Sequence, residues 1–342
     1  MGGINKLQSL GHEDPGGRGV ASSPAGAVSG SPAGWRVTVY RAFDPLVPEW
    51  EALALASRNL FATPEWLRLW WECCGGSARL ALVAARDPGG RLVGIVPLSV
   101  ARIGPLRVAR FLGHGMGDLL GPIHARETDG PPLVERALLA IQDEWDLFLG
   151  ERLSGGAGWS GEPETAELRR ESNPVIRLSD WTGWDEYVQA LGRKLRQSLR
   201  HDERRLTGHR VRFRVTRDPP ELQKDLDTVF ALHRARWDGC RSSFVPREAF
   251  HRRFAALALQ RGWLRLSVLE VDDRAVAARF DFEFAGVYHA YNGGRDPAWN
   301  HAGVGMVLRA HTIREAMSRS VEEYRLLRGG ESDKKRFVHA AS

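Results

Sequence analysis

Hydrophobic and polar residues alternate near the end of the chain in the pattern of a half-buried β-strand. Between residues 280 and 284, phenylalanine alternates with Asp281 and Glu283, and this period of two is typical of a strand with one face in the core. A tight turn at residues 285–286 and a second apolar run at 287–291 complete the pattern. The region therefore predicts a β-hairpin.

The chain continues from this hairpin into a loop, a helix and a last strand. Apolar residues at helical spacing predict a helix that ends near residue 320, and residues 324–327 predict a short strand. The loop before the helix contains Asn300-x-x-Gly303-x-Gly305. Glycine lacks a Cβ atom, so the backbone can approach a ligand, and the first helical amides attract anions. The pattern indicates either a phosphate-binding loop or two glycines that let a loop enter a packed helix.

The rest of the second half also alternates between helices and strands. A helix predicted at 183–206 carries a stripe of apolar residues, and Thr182 with Asp185 resembles a capping box at its start. Residues 174–178 predict a strand that crosses back to the first half. The other predicted elements are strands at 211–215, 263–271 and 275–284 and helices at 222–237 and 246–261.

The first half shows a similar mixture. Asp87-Pro88-Gly89-Gly90 predicts a hairpin turn, and Pro64 and Gly75 mark the ends of a helix at 64–74. The other predicted elements are strands at 35–40, 80–85, 92–100, 108–112 and 146–149 and helices at 48–56 and 132–142. We expect a mixed α/β fold with domains at 35–173 and 174–342. A low-complexity tail at 1–34 has too few apolar residues for a core, which predicts disorder.

Charge adds information about partners. The net charge is +6 and the pI is about 9.5, a balance that favours anionic partners such as nucleotides or phosphorylated cofactors. The helix at 183–206 concentrates arginines, and Arg196 and Arg200 share one side of it by spacing. They either bind an anionic donor or acceptor or form a solvated face. The helix lacks the interleaved aromatic residues and the motif expected for nucleic acid, so no DNA partner is expected.

Other features limit the compartment and the chemistry. No run approaches the length of a membrane-spanning helix, and the first residues lack a hydrophobic signal region. The three cysteines, Cys73, Cys74 and Cys240, have no metal-ligand spacing and fit a reducing compartment. We expect a cytoplasmic protein with no metal site and no membrane insertion.

Several motifs together resemble a known family. Asn300-x-x-Gly303-x-Gly305 resembles the coenzyme A pyrophosphate loop of the GNAT acyltransferases. Over residues 35–337 the chain is similar to the CelD/BcsL-type acetyltransferases, a FemAB-like branch of that superfamily. The other motifs that carry the resemblance are Phe61-Ala62-Thr63-Pro64-Glu65-Trp66-Leu67, Phe111-Leu112-Gly113, Lys194-x-Arg196-x-x-Leu199-Arg200 and Leu327-Arg328-Gly329-x-Glu331-x-x-Lys334. The chain departs from the family pattern at Asn300, Arg325 and Asp333.

This resemblance implies two tandem GNAT-like folds, with the cofactor loop in the second. Coenzyme A or acetyl-CoA, as acyl donor, would bind at Asn300, Gly303, Val304, Gly305, Met306 and Val307. The acceptor would bind near Asp118, Arg196, Arg200 and Glu331. Acyl transfer needs a proton acceptor and a partner for the carbonyl oxygen. The candidates for these roles are Glu283, His289, Tyr291, Asp333 and Lys334.

Three functions follow as hypotheses. The leading one is an acyl-CoA-dependent acyltransferase that moves an acetyl group to an amine or hydroxyl of a polar, sugar-like acceptor. The second is a Fem-like aminoacyltransferase that uses aminoacyl-tRNA, which the basic helix permits. The third is a GNAT-like protein that binds anions without catalysis, which the departures at Asn300, Arg325 and Asp333 favour. The acceptor and the oligomeric state stay open.

Overall fold

The structure is a computed structural model that describes residues 21–22, 34–154, 159, 166–237, 244–328 and 332–338. The predicted tail at 1–34 lies outside these residues except for 21–22 and 34, and Cys240 and Glu331 lie outside them as well. Within the described segments, none of the helices combines the length and the apolar character that crossing a bilayer requires.

The first lobe, residues 34–154 with 21–22, is organised around one sheet. Its strands are β1 (Ala21–Ser22), β2 (Arg36–Tyr40), β3 (Arg79–Arg86), β4 (Leu92–Ile103), β5 (Leu106–Phe111), β6 (Ile123–His124) and β7 (Leu147–Leu149). The order across the sheet is β1-β7-β5-β4-β3-β2, and β6 pairs with β4. Its helices are α1 (Val47–Ser57), α2 (Pro64–Cys74) and α3 (Gly130–Ala140).

The second lobe, from residue 175 onward, has a second sheet. Its strands are β8 (Val175–Arg177), β9 (Val211–Val215), β10 (Leu264–Val271), β11 (Arg274–Phe284), β12 (Val287–Arg295) and β13 (Glu323–Arg325). The order is β8-β13-β12-β11-β10-β9. Strands β12 and β13 are parallel, and the other neighbours in this sheet are antiparallel. Its helices are α4 (Trp184–Ala190), α5 (Arg193–Arg205), α6 (Pro219–Arg236), α7 (Glu248–Gln260), α8 (Val304–Ser318) and α9 (Ser332–Lys335).

Two elements of the second lobe differ from the prediction. The strand predicted at 174–178 does not cross back to the first half, because β8 pairs with β13 in the second sheet. The single helix predicted at 183–206 is two helices, α4 and α5, because the backbone is extended at Leu191 and Gly192. The capping box predicted from Thr182 and Asp185 is not formed at the start of α4. The backbone amide of Thr182 donates to the Glu186 side chain at 2.7 Å instead.

Helix α2 has the predicted bounds for reasons that are local. The Thr63 side chain accepts a hydrogen bond from the Trp66 amide at the N-terminus, and Pro64 occupies the first turn. Proline is tolerated there because the first helical amides have no partners within the helix. At the other end, a Cβ on Gly75 would overlap the Trp71 side chain and backbone.

The two lobes share one aromatic core. Trp66 of α2 is fully buried, and its ring centroid lies 4.9 Å from that of Phe250 and 4.6 Å from that of Phe254, both on α7. It also contacts Phe282 of β11 at 6.5 Å. Large aromatic side chains of this kind dominate the free energy of core packing. The lobes are therefore held together by apolar contacts as well as by ion pairs such as Arg261–Glu65.

A buried ion pair lies under helix α8. The Arg279 guanidinium donates to both carboxylate oxygens of Asp281, at 2.6 and 2.9 Å, and both side chains are almost fully buried. The Tyr288 hydroxyl donates to the same carboxylate at 3.2 Å. The Tyr288 ring stacks on Tyr324 of the neighbouring strand β13 at 4.5 Å. This network joins three strands of the second sheet.

Strand β12 is longer than predicted and carries a β-bulge. Phe280 faces Asn292 and Phe282 faces His289, so two residues of β12 lie opposite one residue of β11. Bulges bend a strand and redirect its side chains. Beyond the bulge, Gly294 lets helix α6 pack directly on the strand, because a Cβ there would overlap the backbone at His233. The parallel pairing of β12 with β13 has already ended at His289.

Candidate active site

Tyr291 lies where β12 leaves β13, on the β-bulge. Its hydroxyl donates to the backbone oxygen of Met116 in the first lobe at 3.1 Å. Its ring packs on Phe61 and Trp66, with centroids 5.7 Å away in both cases. Burial raises the pKa of Tyr291, and the nearby Asp118 carboxylate adds to this shift, so the hydroxyl stays protonated at neutral pH. The bulge thus brings a hydroxyl group of the second lobe to the loop 113–118 of the first.

Asp118 belongs to that loop and is held between two arginines. Arg328, which follows β13, donates to its carboxylate at 2.8 Å, and a terminal nitrogen of Arg152 lies 3.8 Å from the same oxygen. The side chains of Asp118 and Arg152 are only 10% and 13% exposed. Burial raises the pKa of Asp118, although Arg328 and Arg152 act in the opposite direction. A carboxylate with a raised pKa is suited to accept a proton.

Lys334 lies next to this carboxylate. Its Nζ atom donates to the backbone oxygen of Arg328 at 2.6 Å, and its charge acts on Asp118. It is also 3.5 Å from the oxygen of Leu327, whose φ of 56° is unusual for a residue with a side chain. We call Asp118, Arg152, Tyr291, Arg328 and Lys334 the inter-lobe cluster.

Three further polar residues border the inter-lobe cluster. His114 packs its ring on Trp70 at 4.6 Å. Its pKa is lowered to about 4, first by burial and then by the charges of Arg110, Arg152 and Arg247. Arg247 comes from the segment before α7, and it also acts on Tyr291. Arg152 and Arg328 thus lie beside the Asp118 carboxylate. Arg152 also lies with Arg110 and Arg247 near the His114 ring.

The two glycines at the start of α8 differ in the space beside them. We call the side at Gly303 the closed end of the loop and the side at Gly305 its open end. A Cβ on Gly303, where φ is 58°, would overlap the carboxylate of Asp202 from α5. The close approach that we expected for a ligand at Gly303 is thus taken by Asp202. At Gly305 the nearest atom to a Cβ would be Cδ of Arg295, at 3.3 Å. The Arg295 guanidinium donates to the Asn300 side chain at 2.6 Å, so a positive charge lies beside this end.

The other predicted cofactor residues face inward with their side chains. Val304 is fully buried, and Met306 packs against the core under α8. Val307 lines a groove of about 330 Å³ between α5, β9 and α8, apart from the inter-lobe cluster. The backbone amides of Met306 and Val307 donate to the Gly303 oxygen at 2.8 and 3.1 Å, so among these three residues the Val304 amide is the one suited to contact a donor.

Two predicted catalytic residues lie in other surroundings. Glu283 accepts hydrogen bonds from Arg265 at 3.1 Å and from Arg319 at 2.8 Å. Its carboxylate therefore has a structural role, as the partner of two arginines of the second lobe. His289 is fully buried against Phe61. Burial lowers the pKa of His289 to about 3, so its ring is neutral at neutral pH. The Asp333 side chain and Glu331 lie outside what the structure describes.

The two predicted substrate residues of the basic helix have other positions as well. Arg196 donates to the backbone oxygen of Leu191 at 2.7 Å and to that of Gln189, at the end of α4. Arg200 is exposed beside Gln197 and Arg204 on the surface of α5. The structure therefore brings together Asp118, Tyr291 and Lys334 of the predicted site, and it places Arg196 and Arg200 elsewhere.

The sequence interpretation missed Arg110, Arg152 and Arg247. Arg110 lies within β5, and Arg152 follows β7. No spacing links them to the loop 113–118, of which the sequence interpretation named only Asp118, through the family resemblance. No group of three or more His, Cys, Asp or Glu side chains in the described part of the chain is arranged to hold a metal ion.

Comparisons with known proteins give a family model and a fold. Residues 193–335 match the model of the acetyltransferase (GNAT) domain. The chain is similar in structure to FemX, with a TM-score of 0.53 and 9% identity over 87% of this chain and 90% of that one. It is also similar to the C-terminal domain of a putative lysylphosphatidylglycerol synthetase from Agrobacterium fabrum, with a TM-score of 0.52 and 12% identity over 86% and 82% of the two chains.

A third similar structure is that of L-PGS from Bacillus licheniformis, with a TM-score of 0.51 and 14% identity over 83% of this chain and 77% of that one. No curated protein matches the sequence significantly. At such low identities these likenesses show the fold alone. The predicted fold class, mixed α/β with two sheets and GNAT-like folds, is confirmed.

Proposed function

We propose that the protein is an acyl-CoA-dependent acyltransferase of the CelD/BcsL type, and that transfer takes place at the inter-lobe cluster. The observation that carries this proposal is the geometry of β12. Its pairing with β13 ends at His289, the next residues form the bulge that presents Tyr291, and its far end leads into the loop before α8. One strand thus connects a candidate donor site with a candidate reaction centre.

The donor site is supported at the open end of the loop. The amides of Val304 and Gly305 are at the first two positions of α8, where a helix provides no acceptors. Together with the Arg295 guanidinium they suit a diphosphate. Asp202 closes the other end at Gly303. We therefore assign the diphosphate of coenzyme A to Val304, Gly305 and Arg295. Val304 and Gly305 are two of the six cofactor residues predicted from the sequence, and Arg295 is an addition to them.

The residues of the inter-lobe cluster have complementary chemical roles. A bound acyl thioester would supply an activated carbonyl, whose carbon–sulfur bond breaks as the acceptor nitrogen or oxygen bonds to the carbon. Asp118 receives the proton that the attacking group releases, because its raised pKa makes it a stronger base than an exposed aspartate. Lys334 and Arg328 stabilise negative charge on the carbonyl oxygen. The protonated Tyr291 hydroxyl, which donates its one hydrogen to the Met116 backbone oxygen in this structure, would turn to donate it to the leaving sulfur.

The test compares Asp118→Asn with the parent protein. We expect similar affinities for coenzyme A by calorimetry, and a kcat/KM for acyl transfer that falls about a hundredfold, the size expected for loss of a general base. Candidate amines and hydroxyl compounds are screened with acetyl-CoA, and release of free thiol is followed. A parent protein that binds neither coenzyme A nor acyl-CoA would exclude this donor.

A second candidate is aminoacyl transfer from charged tRNA. The Asp202 carboxylate at Gly303 weakens the case for coenzyme A, because it repels a diphosphate placed across the whole loop. The basic helix α5 permits a charged tRNA as donor. Transfer that depends on aminoacyl-tRNA, in a protein that does not bind coenzyme A, would select this candidate. Retention of coenzyme A without turnover of any acceptor would select the third hypothesis, binding without catalysis.

A further inference from the structure

We propose that the acceptor carries an oxyanion, a carboxylate or a phosphate, and that Arg110, Arg152 and Arg247 bind it between the two lobes. This inference rests on the proposed function, because it places the acceptor at the inter-lobe cluster. It names the chemical class of a substrate that was so far only described as polar.

The arginines near Asp118 and His114 outnumber the carboxylates that act on them. The charges of Arg110, Arg152 and Arg247 all act on His114. In the described part of the chain, the carboxylates near these arginines and Arg328 are Asp118, Glu151, which acts on Arg152, and Glu171, which lies 3.9 Å from Arg328. Asp118 contacts Arg328 and Arg152, and no ion pair between a carboxylate and Arg110 or Arg247 occurs among the described residues. Charges that are removed from water need a partner of the opposite sign. An anionic ligand would provide it.

Several buried polar atoms near the inter-lobe cluster have no hydrogen-bond partner among the described residues. Within the residues that the structure describes, Nε of Arg110, Nε of Arg247 and Nδ1 of His114 are buried and have no hydrogen-bond partner. Buried polar atoms in native proteins nearly always have one. These three belong together, since the charges of Arg110 and Arg247 both act on His114. Three unused polar atoms at one place indicate a site for a ligand with several acceptor atoms.

The geometry of the surroundings selects a small oxyanion. A guanidinium presents planar pairs of donors that match a carboxylate or a phosphate. Asp118 and Arg152 are 10% and 13% exposed, so the continuous backbone of a nucleic acid is excluded from them. The Tyr291 hydroxyl lies beside these arginines. A ligand anchored here therefore presents its remaining atoms at the point proposed for acyl transfer.

The experiment titrates inorganic phosphate and, separately, acetate into the parent protein, Arg110→Gln, Arg247→Gln and the double variant. Arg274→Gln is the control, because Arg274 is exposed at the start of β11 and loses the same charge. Sodium chloride at matched ionic strength corrects for screening. We expect the parent to bind at least one of the two anions, the double variant to bind it about tenfold more weakly or not at all, and the control to match the parent within about twofold.

The two anions distinguish the two sources of the charge, since stronger binding of phosphate or of acetate identifies the group on the acceptor. Equal binding by the parent and the double variant would overturn the inference, because the anion would then lie elsewhere, for example at the start of α8. Absence of binding to the parent would overturn it too. Coenzyme A is titrated into the same proteins. If the parent binds coenzyme A but its anion binding is absent or unchanged in the double variant, this inference alone is contradicted. If the parent binds no coenzyme A, the proposed donor is contradicted.

A second measurement uses the parent protein only, so that it holds even when a variant fails to fold. Phenylglyoxal modifies accessible arginines, and mass spectrometry identifies the modified positions. Bound phosphate or acetate should slow modification of Arg110 and Arg247 and leave Arg274 unchanged. Equal rates at Arg110 and Arg247 with and without the anions would contradict the proposal.

Discussion

The Tyr291 hydroxyl, on strand β12 of the second lobe, donates a hydrogen bond to the backbone oxygen of Met116 in the first lobe at 3.1 Å. The two residues are 175 positions apart in the chain. The candidate reaction centre is therefore built from both lobes, and neither lobe contains it alone.

Removing this hydroxyl should affect both stability and catalysis. Tyr291→Phe leaves the Met116 oxygen without its donor, so we expect a loss of about 1 kcal/mol in the free energy of unfolding. Tyr187→Phe is a matched control, because the Tyr187 hydroxyl donates to the backbone oxygen of Phe337 at 2.6 Å. Both variants should lose similar stability in urea denaturation, and only Tyr291→Phe should lower kcat. A similar kcat in both variants would remove Tyr291 from the reaction.

The two loop glycines should respond differently to the same change. Alanine at Gly303 overlaps Asp202 and adopts a left-handed φ, so Gly303→Ala should lower the free energy of unfolding by about 1 kcal/mol or more. Gly305→Ala requires only a small shift of Arg295, and stability should be unchanged. Its methyl group lies beside the proposed diphosphate, so coenzyme A should bind about tenfold more weakly. Calorimetry with equal affinities for Gly305→Ala and the parent would place the diphosphate elsewhere.

Removing one partner of the buried pair Arg279 and Asp281 should lower the free energy of unfolding more than replacing both partners with apolar residues. Arg279→Met leaves a buried carboxylate without its partner, which should lower the free energy of unfolding by about 3–5 kcal/mol. Combining it with Asp281→Leu should recover part of this loss. A double-mutant cycle in urea measures the coupling. The exposed pair of Arg68 and Asp44 serves as the control, and its cycle should show almost no coupling. Similar coupling in both pairs would contradict this assignment.

Two buried histidines should make the protein sensitive to acid. Burial lowers the pKa of His251 and of His289 to about 3, and positive charges near each ring act in the same direction. Because the folded pKa is below the unfolded value of about 6.5, the unfolded state binds protons first as the pH falls. The contribution of these two neutral histidines to the free energy of unfolding is thus fully present above about pH 6.5, and it is lost progressively from there toward pH 3.

Between about pH 7 and pH 5.5, each histidine should reduce the free energy of unfolding by about 1.2 kcal/mol. His251→Phe should remove its share of this loss, since its ring nitrogens have no hydrogen-bond partner in the described residues and its neighbours include Phe244 and Phe250. Urea denaturation at both pH values measures the difference, with the exposed His201→Asn as the control. An unchanged pH slope in His251→Phe would show that this histidine is not neutral when folded.

Local signals allowed much of the fold to be predicted from the sequence. Helix α2 was predicted with its correct bounds because Pro64 and Gly75 mark its ends. The hairpin of β11 and β12 was predicted from the alternation of phenylalanine with acidic residues. The break between α4 and α5 was missed because the apolar stripe continues across Leu191 and Gly192. At this break Arg196 donates to backbone oxygens at the end of α4.

The candidate site was harder to predict because its contacts join distant segments. Asp118 and Arg328 are 210 residues apart, and no pattern in either segment indicates the other. The same holds for Asp202 and Gly303, where the glycine pattern was visible but the carboxylate that fills it was not. Types of residue and local turns can be inferred from one sequence. Which charges meet across two lobes depends on packing that only the folded chain determines.

The position of Trp66 between helices of both lobes limits how this protein could be recombined. Its ring is enclosed by Phe61 on one side of the boundary and by Phe250, Phe254 and Phe282 on the other. A chimera that takes one lobe from a distant homologue would bring a mismatched aromatic surface and leave a cavity or an overlap at this point. A change in the size of these aromatic side chains on one lobe therefore requires a matching change on the other, although each lobe is folded around its own sheet.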